Sequence, residues 1–229
     1  MSDSSLPVLS LLETRVLGVL AEKQRTVPDI YPLTLNALVA GCNQKSSRDP
    51  VMNASLAEVR TAINSLIQKD LVSEISGGRA DRFAHHMERV LKIPSQSAAL
   101  ITTLMLRGPQ TVGELRINSE RLHKFADISS VESFLEELAE RSDGSLVVKL
   151  PRQPGSRENR WMHLLSGTPE INQTEQTEAA KIVPQTENTH SENDFEALKS
   201  RISYLEAEVA DLKKIVETLT VQLGDSVDQ

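Results

Sequence analysis

The sequence predicts a mainly α chain with small β-hairpins (α+β), arranged as two repeated units followed by a coiled-coil helix. Three observations predict this. Aromatic residues make up only 3% of the 229 residues, so the core must come from Leu, Val, Ile and Ala, which favours helices over a β-sandwich. Helical apolar patterns recur in the same order. Val16, Leu17 and Leu20 are matched 84 positions on by Leu100, Ile101 and Leu104, and Val59, Ile63 and Leu66 are matched 72 on by Val131, Leu135 and Leu138. Finally, Phe195, Leu198, Ile202, Leu205, Val209, Leu212, Val216, Leu219 and Leu223 are spaced alternately by three and four residues, a heptad seam.

The first unit opens at Ser10-Leu11-Leu12-Glu13, where a Ser hydroxyl and a Glu carboxylate three residues on can satisfy each other's backbone N–H. A helix follows through Leu20 and ends before Pro28 and Pro32. A second helix is expected over Thr34–Cys42, with Leu35, Leu38 and Val39 inward. A polar loop, Asn43 to Pro50, leads to a second capping box at Ser55-Leu56-Ala57-Glu58 and a third helix. Leu71–Ile75 and Arg82–His85 read as strands around Gly77-Gly78. Three helices followed by a short hairpin is the winged-helix pattern.

The second unit repeats it. A helix over Ala98–Arg107 stops at Gly108-Pro109, Thr111 and Glu114 cap a second, and Ser130–Arg141 form a third. Leu146–Leu150 and Arg160–Leu165 are expected to pair around Pro151-Arg152-Gln153-Pro154-Gly155. The organisation is therefore a tail (1–9), winged-helix domains over 10–92 and 93–166, a flexible Thr/Glu/Gln/Asn-rich linker (167–193), a coiled-coil helix (194–224) and a short tail (225–229). With Phe195 at position a, the later a residues are Ile202, Val209, Val216 and Leu223, and every d residue is Leu. That choice favours a parallel homodimer, in which Arg201 would face Glu206 and Glu208 would face Lys213 of the other chain.

The net charge of −7 is unevenly placed. Residues 1–165 hold 20 Lys and Arg against 19 Asp and Glu, whereas residues 166–229 hold 5 against 13. The acidity belongs to the tail and does not argue against nucleic-acid binding by the front. The start of the chain lacks a signal-peptide pattern, and no run of about 18 apolar residues is present, so a cytoplasmic protein without membrane spans is expected.

Longer strings carry a family resemblance. Leu12-Glu13-Thr14-Arg15-Val16-Leu17-Gly18, Glu22-Lys23-Gln24, Tyr31-Pro32-Leu33-Thr34-Leu35-Asn36 and Cys42-Asn43-Gln44-Lys45-Ser46 with Arg48 and Pro50-Val51-Met52 resemble the YceH-like family of bacterial proteins. So do Leu106-Arg107-Gly108-Pro109-Gln110-Thr111, Gly113-Glu114-Leu115-Arg116, and Pro154-Gly155 through Arg160 and Met162-His163-Leu164. The resemblance spans about residues 10–166. It implies two tandem winged-helix domains and brings no catalytic residue with it.

Nucleic-acid binding is the leading expectation. In a helix-turn-helix the third helix enters the major groove and flanking cations hold phosphates. The candidates are Lys45 and Arg48 in the loop, Arg60 on the third helix, and Arg79 and Arg82 on the first hairpin. In the second unit the third helix carries Glu132, Glu136, Glu137 and Glu140, so the hairpin residues Arg152, Arg157 and Arg160 are the candidates there. The Asn43–Pro50 loop is either a recognition element or a segment folded over the core. The alternative reading is a protein-interaction adaptor using winged-helix surfaces, which the acidic helix favours.

Enzymatic chemistry finds no support. The sequence has neither a phosphate-binding glycine loop nor an HExxH motif, and no cofactor or metal is expected. His85 and His86 read as strand-end residues, the lone Cys42 as a small buried hydrophobe, and Trp161 and Met162 as strand packing residues.

Overall fold

The structure, a computed structural model, describes residues 8–77, 80–152 and 155–167. Arg79, the linker from residue 168 onward and the heptad residues Phe195 to Leu223 lie outside the described residues.

Helix α1 (Leu11–Thr26) starts at the expected capping box. The Ser10 hydroxyl accepts from the Glu13 N–H at 3.2 Å, and the Glu13 carboxylate accepts from the Ser10 N–H at 2.6 Å. A 3-10 turn (Pro28–Ile30) and a two-residue strand β1 (Leu33–Thr34) lead into α2 (Leu35–Cys42), capped by Thr34. Helix α3 (Leu56–Gln68) starts at the second Ser–Glu box, and β2 (Val72–Ile75) and β3 (Arg82–His85) form the hairpin. Strand β1 pairs with the free edge of β3, giving an antiparallel sheet in the order β1-β3-β2, with Leu33 opposite Phe83 and Val72 opposite His85.

A short helix α4 (Met87–Leu91) enters the second half, which comprises α5 (Ser95–Arg107), α6 (Val112–Asn118), α7 (Ile128–Ala139) and an antiparallel pair of β4 (Val147–Lys149) and β5 (Trp161–His163). Helix α5 begins three residues earlier than expected, with Pro94 at its cap. Helix α7 begins at Ile128 rather than Ser130, because Asp127 caps it by accepting from the Ser130 N–H at 2.7 Å. The second hairpin is shorter at both ends than its sequence pattern. Described residues contain no helix long and apolar enough to cross a membrane.

Helix α1 is buried over nine consecutive residues, Glu13 to Ala21, with Val16, Leu17, Val19 and Leu20 fully enclosed. A helix enclosed on all sides sits at the centre of a core rather than on its surface. It contacts α2, α3 and α5, so one core runs through both halves. At Gly18, α1 packs against α5: a Cβ there would lie 2.9 Å from a Leu106 methyl carbon, so a larger residue would have to push that side chain aside. Gly108 ends α5 at φ +73°, where a side chain would be strained and would meet the Asp49 carboxylate at 3.0 Å.

The Asn43–Ala54 segment is fastened from several sides. Buried Arg15 donates to the carbonyls of Cys42 (3.1 Å) and Pro50 (2.7 Å). Arg48 donates to the Gly41 carbonyl at 3.1 Å and grips both carboxylate oxygens of Glu22 at 2.6 and 3.2 Å. Asn43 exchanges two hydrogen bonds with the Ala54 backbone. The segment also reaches the second half. The Asp49 N–H donates to the Leu106 carbonyl at 2.8 Å, and Arg107 donates to the Ser47 hydroxyl at 2.8 Å. At the other side, the Leu9 N–H donates to the Leu165 carbonyl at 2.7 Å, and the Thr14 and Ser166 hydroxyls share a hydrogen bond.

Removing Arg48 would leave the Gly41 carbonyl without its side-chain donor and the Glu22 carboxylate with Lys23 alone, at 3.4 Å. Arg48→Ala is expected to lower the unfolding free energy by about 3 kcal/mol, whereas Lys45→Ala changes it by less than about 0.5 kcal/mol. Urea denaturation of the two variants measures the difference.

Candidate nucleic-acid interface

Helix α3 presents an unusual surface. Its inward positions, Val59, Ala62, Ile63 and Leu66, are fixed by the core, which leaves Ala57, Thr61, Asn64 and Gln68 on a solvent stripe at spacings of 4, 3 and 4. All four are exposed and none is charged. Solvent stripes of helices are ordinarily the charged face. The flanking charges are engaged. The Glu58 carboxylate accepts from the Ser55 N–H and hydroxyl, Arg60 pairs with Glu74 at 3.1 Å, and Lys69 pairs with Glu13 at 2.5 Å. The stripe can therefore offer two amides to a partner, while the Thr61 hydroxyl donates to the Ala57 carbonyl at 3.0 Å.

Helix α7 presents the opposite character. Its exposed residues include Ser133, Glu136, Glu137 and Glu140. A polyanion is repelled from this face.

The structure divides the sequence-predicted cations. Arg48 is corrected outright: its side chain is fully buried and grips Glu22, so it reaches no phosphate. The polar loop that carries it is folded over the core, and of its two cations only Lys45 is exposed. Arg60 is half-buried, bonded to Glu74, with its guanidinium 5.4 Å above the centre of the Phe83 ring. Arg82 donates to the carbonyls of Ile30 (3.1 Å) and Pro32 (2.7 Å), which holds β3 to the segment before β1. Arg160 is bonded to the Pro109 carbonyl and to Glu114. Arg152 donates to the Ser156 carbonyl, and Arg157 is exposed. Of the seven described candidates, Arg48, Arg60, Arg82, Arg152 and Arg160 are therefore each held by a partner within the protein. A sequence shows that an arginine is present but not which carbonyls lie within its reach.

Residues 9–156 match the family described as "Protein of unknown function, DUF480". The chain belongs to this family. Among its relatives is a UPF0502 protein of Dechloromonas aromatica (strain RCB), 61% identical over 212 residues, covering 93% of this chain and 96% of the relative. UPF0502 proteins of Burkholderia pseudomallei (strain 668) and Burkholderia thailandensis (strain E264) are 58% and 56% identical, covering 96% of this chain and 91% and 92% of the relatives. The YceH-like resemblance is consistent with this family.

The remaining chemical side chains of this DUF480 member are structural in their contacts. Cys42 is buried and its thiol is pushed up to about 11 by burial. It is expected to resist a thiol reagent in the native chain at pH 8 and to react fully in denaturant, as a disulfide-exchange absorbance assay would record. His85 is also buried. Its Nδ1 accepts from the Met87 N–H at 3.3 Å, so Nε2 carries the proton that is donated to Gln24 at 2.9 Å. Among the described residues no group of three or more His, Cys, Asp or Glu is placed to hold a metal.

These buried groups set the acid limit of stability. Burial depresses both His85 and His163 to about 4, so the unfolded chain takes up their protons first as the pH falls below 6.5. At Glu13, burial opposes ionisation, but hydrogen bonds from Lys69, Ser65 and the Ser10 N–H outweigh it and bring the carboxyl down to about 2. Stability should therefore fall from pH 6.5 toward 4 through the histidines, with a slope of about two protons, and fall again from 4.5 toward 2 through Glu13. Urea midpoints across that range measure both steps, and Glu13→Gln should remove the Glu13 contribution to the lower one.

Proposed function

We propose that this chain is a non-enzymatic, tandem winged-helix protein that binds duplex DNA and reads bases with α3. The order of three helices and a hairpin in each half, with β1 on the edge of the first hairpin, supports the winged-helix reading. The observation that carries the DNA reading is the uncharged stripe of Thr61, Asn64 and Gln68. Asn and Gln amides pair with the N6 and N7 edge of adenine in the major groove, and each such contact discriminates by about 1–3 kcal/mol. The protein would act in the cytoplasm as a regulator-like dimer joined through the Phe195–Leu223 heptads. Joined copies raise the effective concentration of modest sites.

The expected behaviour is specific. After selection of a preferred duplex from a random library, Asn64→Ala with Gln68→Ala should weaken binding to it by at least about tenfold. Binding to an unrelated duplex should change little. Equal loss on both duplexes would place recognition elsewhere. Light scattering after size exclusion should give a dimer for the full chain.

A second reading, a protein-interaction adaptor, is favoured by one observation. A groove of about 500 Å³ beside α3 is lined by Leu12, Ala57 and Ala62, with apolar surface predominating, and Leu11 and Leu56 are exposed large hydrophobics. Its fitting occupant is an apolar stripe of a partner's helix. On this reading the chain shows no salt-dependent affinity for any duplex, and Ala57→Glu abolishes capture of a partner that the unsubstituted chain retains.

A further inference from the structure

Most of the described cations named from the sequence are held by partners within the protein, and a second set of cations lies elsewhere. The loop between α6 and α7 is compact. The Ser119 carbonyl accepts from the N–H groups of Leu122 (2.8 Å) and His123 (2.9 Å), and the Ser119 hydroxyl bonds back to the Leu115 carbonyl at 2.6 Å. His123 packs edge-on against Phe125, with ring centres 4.7 Å apart, and Phe125 meets Phe134 of α7. Arg116 closes the turn by reaching the Ala126 carbonyl at 3.4 Å. This packing places Arg121 and Lys124 on the turn and Arg116 in the last turn of α6, all exposed, with Glu120 and Asp127 among them.

That loop is not isolated from the first half. Leu122 lines a cleft together with Gln24 and Arg25 from the end of α1 and Glu88 of α4. A second cleft joins Arg25 and Glu88 to Arg89, which is exposed. Arg25 is nearly half exposed and pairs with Glu88 at 2.9 Å. Arg25 and Arg89 therefore share one cleft, and the exposed Arg121 and Lys124 flank Leu122, which lines the other cleft with Arg25; these cations and Arg116 make up a strip interrupted by Glu88, Glu120 and Asp127. The strip shares no residue with the eight sequence-predicted candidates or with the α3 stripe.

We propose that this strip holds the sugar–phosphate backbone of a nucleic-acid duplex, independent of sequence. The proposal rests on the reading of the chain as a duplex-binding protein and adds the site that supplies its electrostatic affinity. Cations fixed on a compact loop and on helix ends need little ordering on contact. Each phosphate they neutralise releases condensed counterions. The strip draws on both halves, whose relative placement is set by the shared core. A base-reading stripe without charge needs such a partner, because phosphate contacts position a protein while base contacts specify the sequence.

The test uses the full chain and a fluorescein-labelled 30-base-pair duplex of arbitrary sequence, with anisotropy titrations between 50 and 200 mM salt. Arg89→Ala with Arg121→Ala and Lys124→Ala should weaken binding at the lowest salt by at least tenfold. It should also make the log–log salt slope shallower by about 2.7, from three phosphate contacts at about 0.9 each. The three side chains are exposed, so the thermal midpoint should be unchanged. Arg121→Ala with Lys124→Ala should show about two-thirds of the slope change, which separates lost contacts from a folding defect. If the unsubstituted chain binds and the triple variant keeps its affinity and slope, the strip is refuted while the duplex-binding reading stands. If the unsubstituted chain shows no salt-dependent binding, both fall.

Discussion

The close approach of α1 and α5 at Gly18 is the constraint on which the rest of the described structure depends. The Leu106 side chain of α5 lies so near the Gly18 backbone that a methyl group there would press on it. That proximity makes α1 the common centre of both halves rather than the first helix of one of them. The hydrogen bonds at the periphery are consistent with the same arrangement: Asp49 to Leu106, Arg107 to Ser47, and Leu9 to Leu165 each join residues far apart in sequence. Interiors packed at this density are not readily deformed, so surfaces on the two halves keep a fixed relation.

Charge in this molecule has two fates, and burial separates them. Arg15 and Arg48 are taken inside to close a loop whose backbone carbonyls would otherwise lack partners. Burial works against the Glu22 carboxyl, but hydrogen bonds and charge from Arg48 hold it below the usual carboxylate range. Arginine suits this task because its planar fork serves a carboxylate and carbonyls at once. Arg89, Arg121 and Lys124 stand instead on exposed positions of helix ends and turns. The first group stabilises the fold and is lost to ligand binding; the second is available to a partner. Net charge summed over the chain reveals neither.

Much of the fold was legible in the sequence because its signals are local. The capping boxes at Ser10, Ser55 and Thr111 needed only two residues three apart, and all three mark helix starts. The heptad-like spacing of Val59, Ile63 and Leu66 was enough to orient α3. Features built from distant partners were not legible. Strand β1 has two residues and exists only because β3 offers an edge. Helix α4 is too short for a periodic pattern, and α7 starts early because Asp127 and Ser130 form a capping pair of less common composition. The site followed the same rule. In the sequence the polar Asn43–Pro50 loop reads as a recognition element or as a segment folded over the core; Arg48 and Asn43 direct their polar groups to the protein's own partners, whereas Lys45 stays exposed. The α3 stripe was missed because attention to Lys and Arg passes over Asn64 and Gln68. Its signal was present in the spacing of Ala57, Thr61, Asn64 and Gln68.

The two halves share one core around α1 and should unfold as one cooperative body. Residue-resolved hydrogen exchange of the full chain in low denaturant tests it most directly. The slowest amides of α3 and α7 should open with a single common free energy, equal to that of α1. If α7 and its hairpin exchanged at a distinctly lower free energy while α1 and α3 stayed protected, the halves would be independent and the account would be wrong.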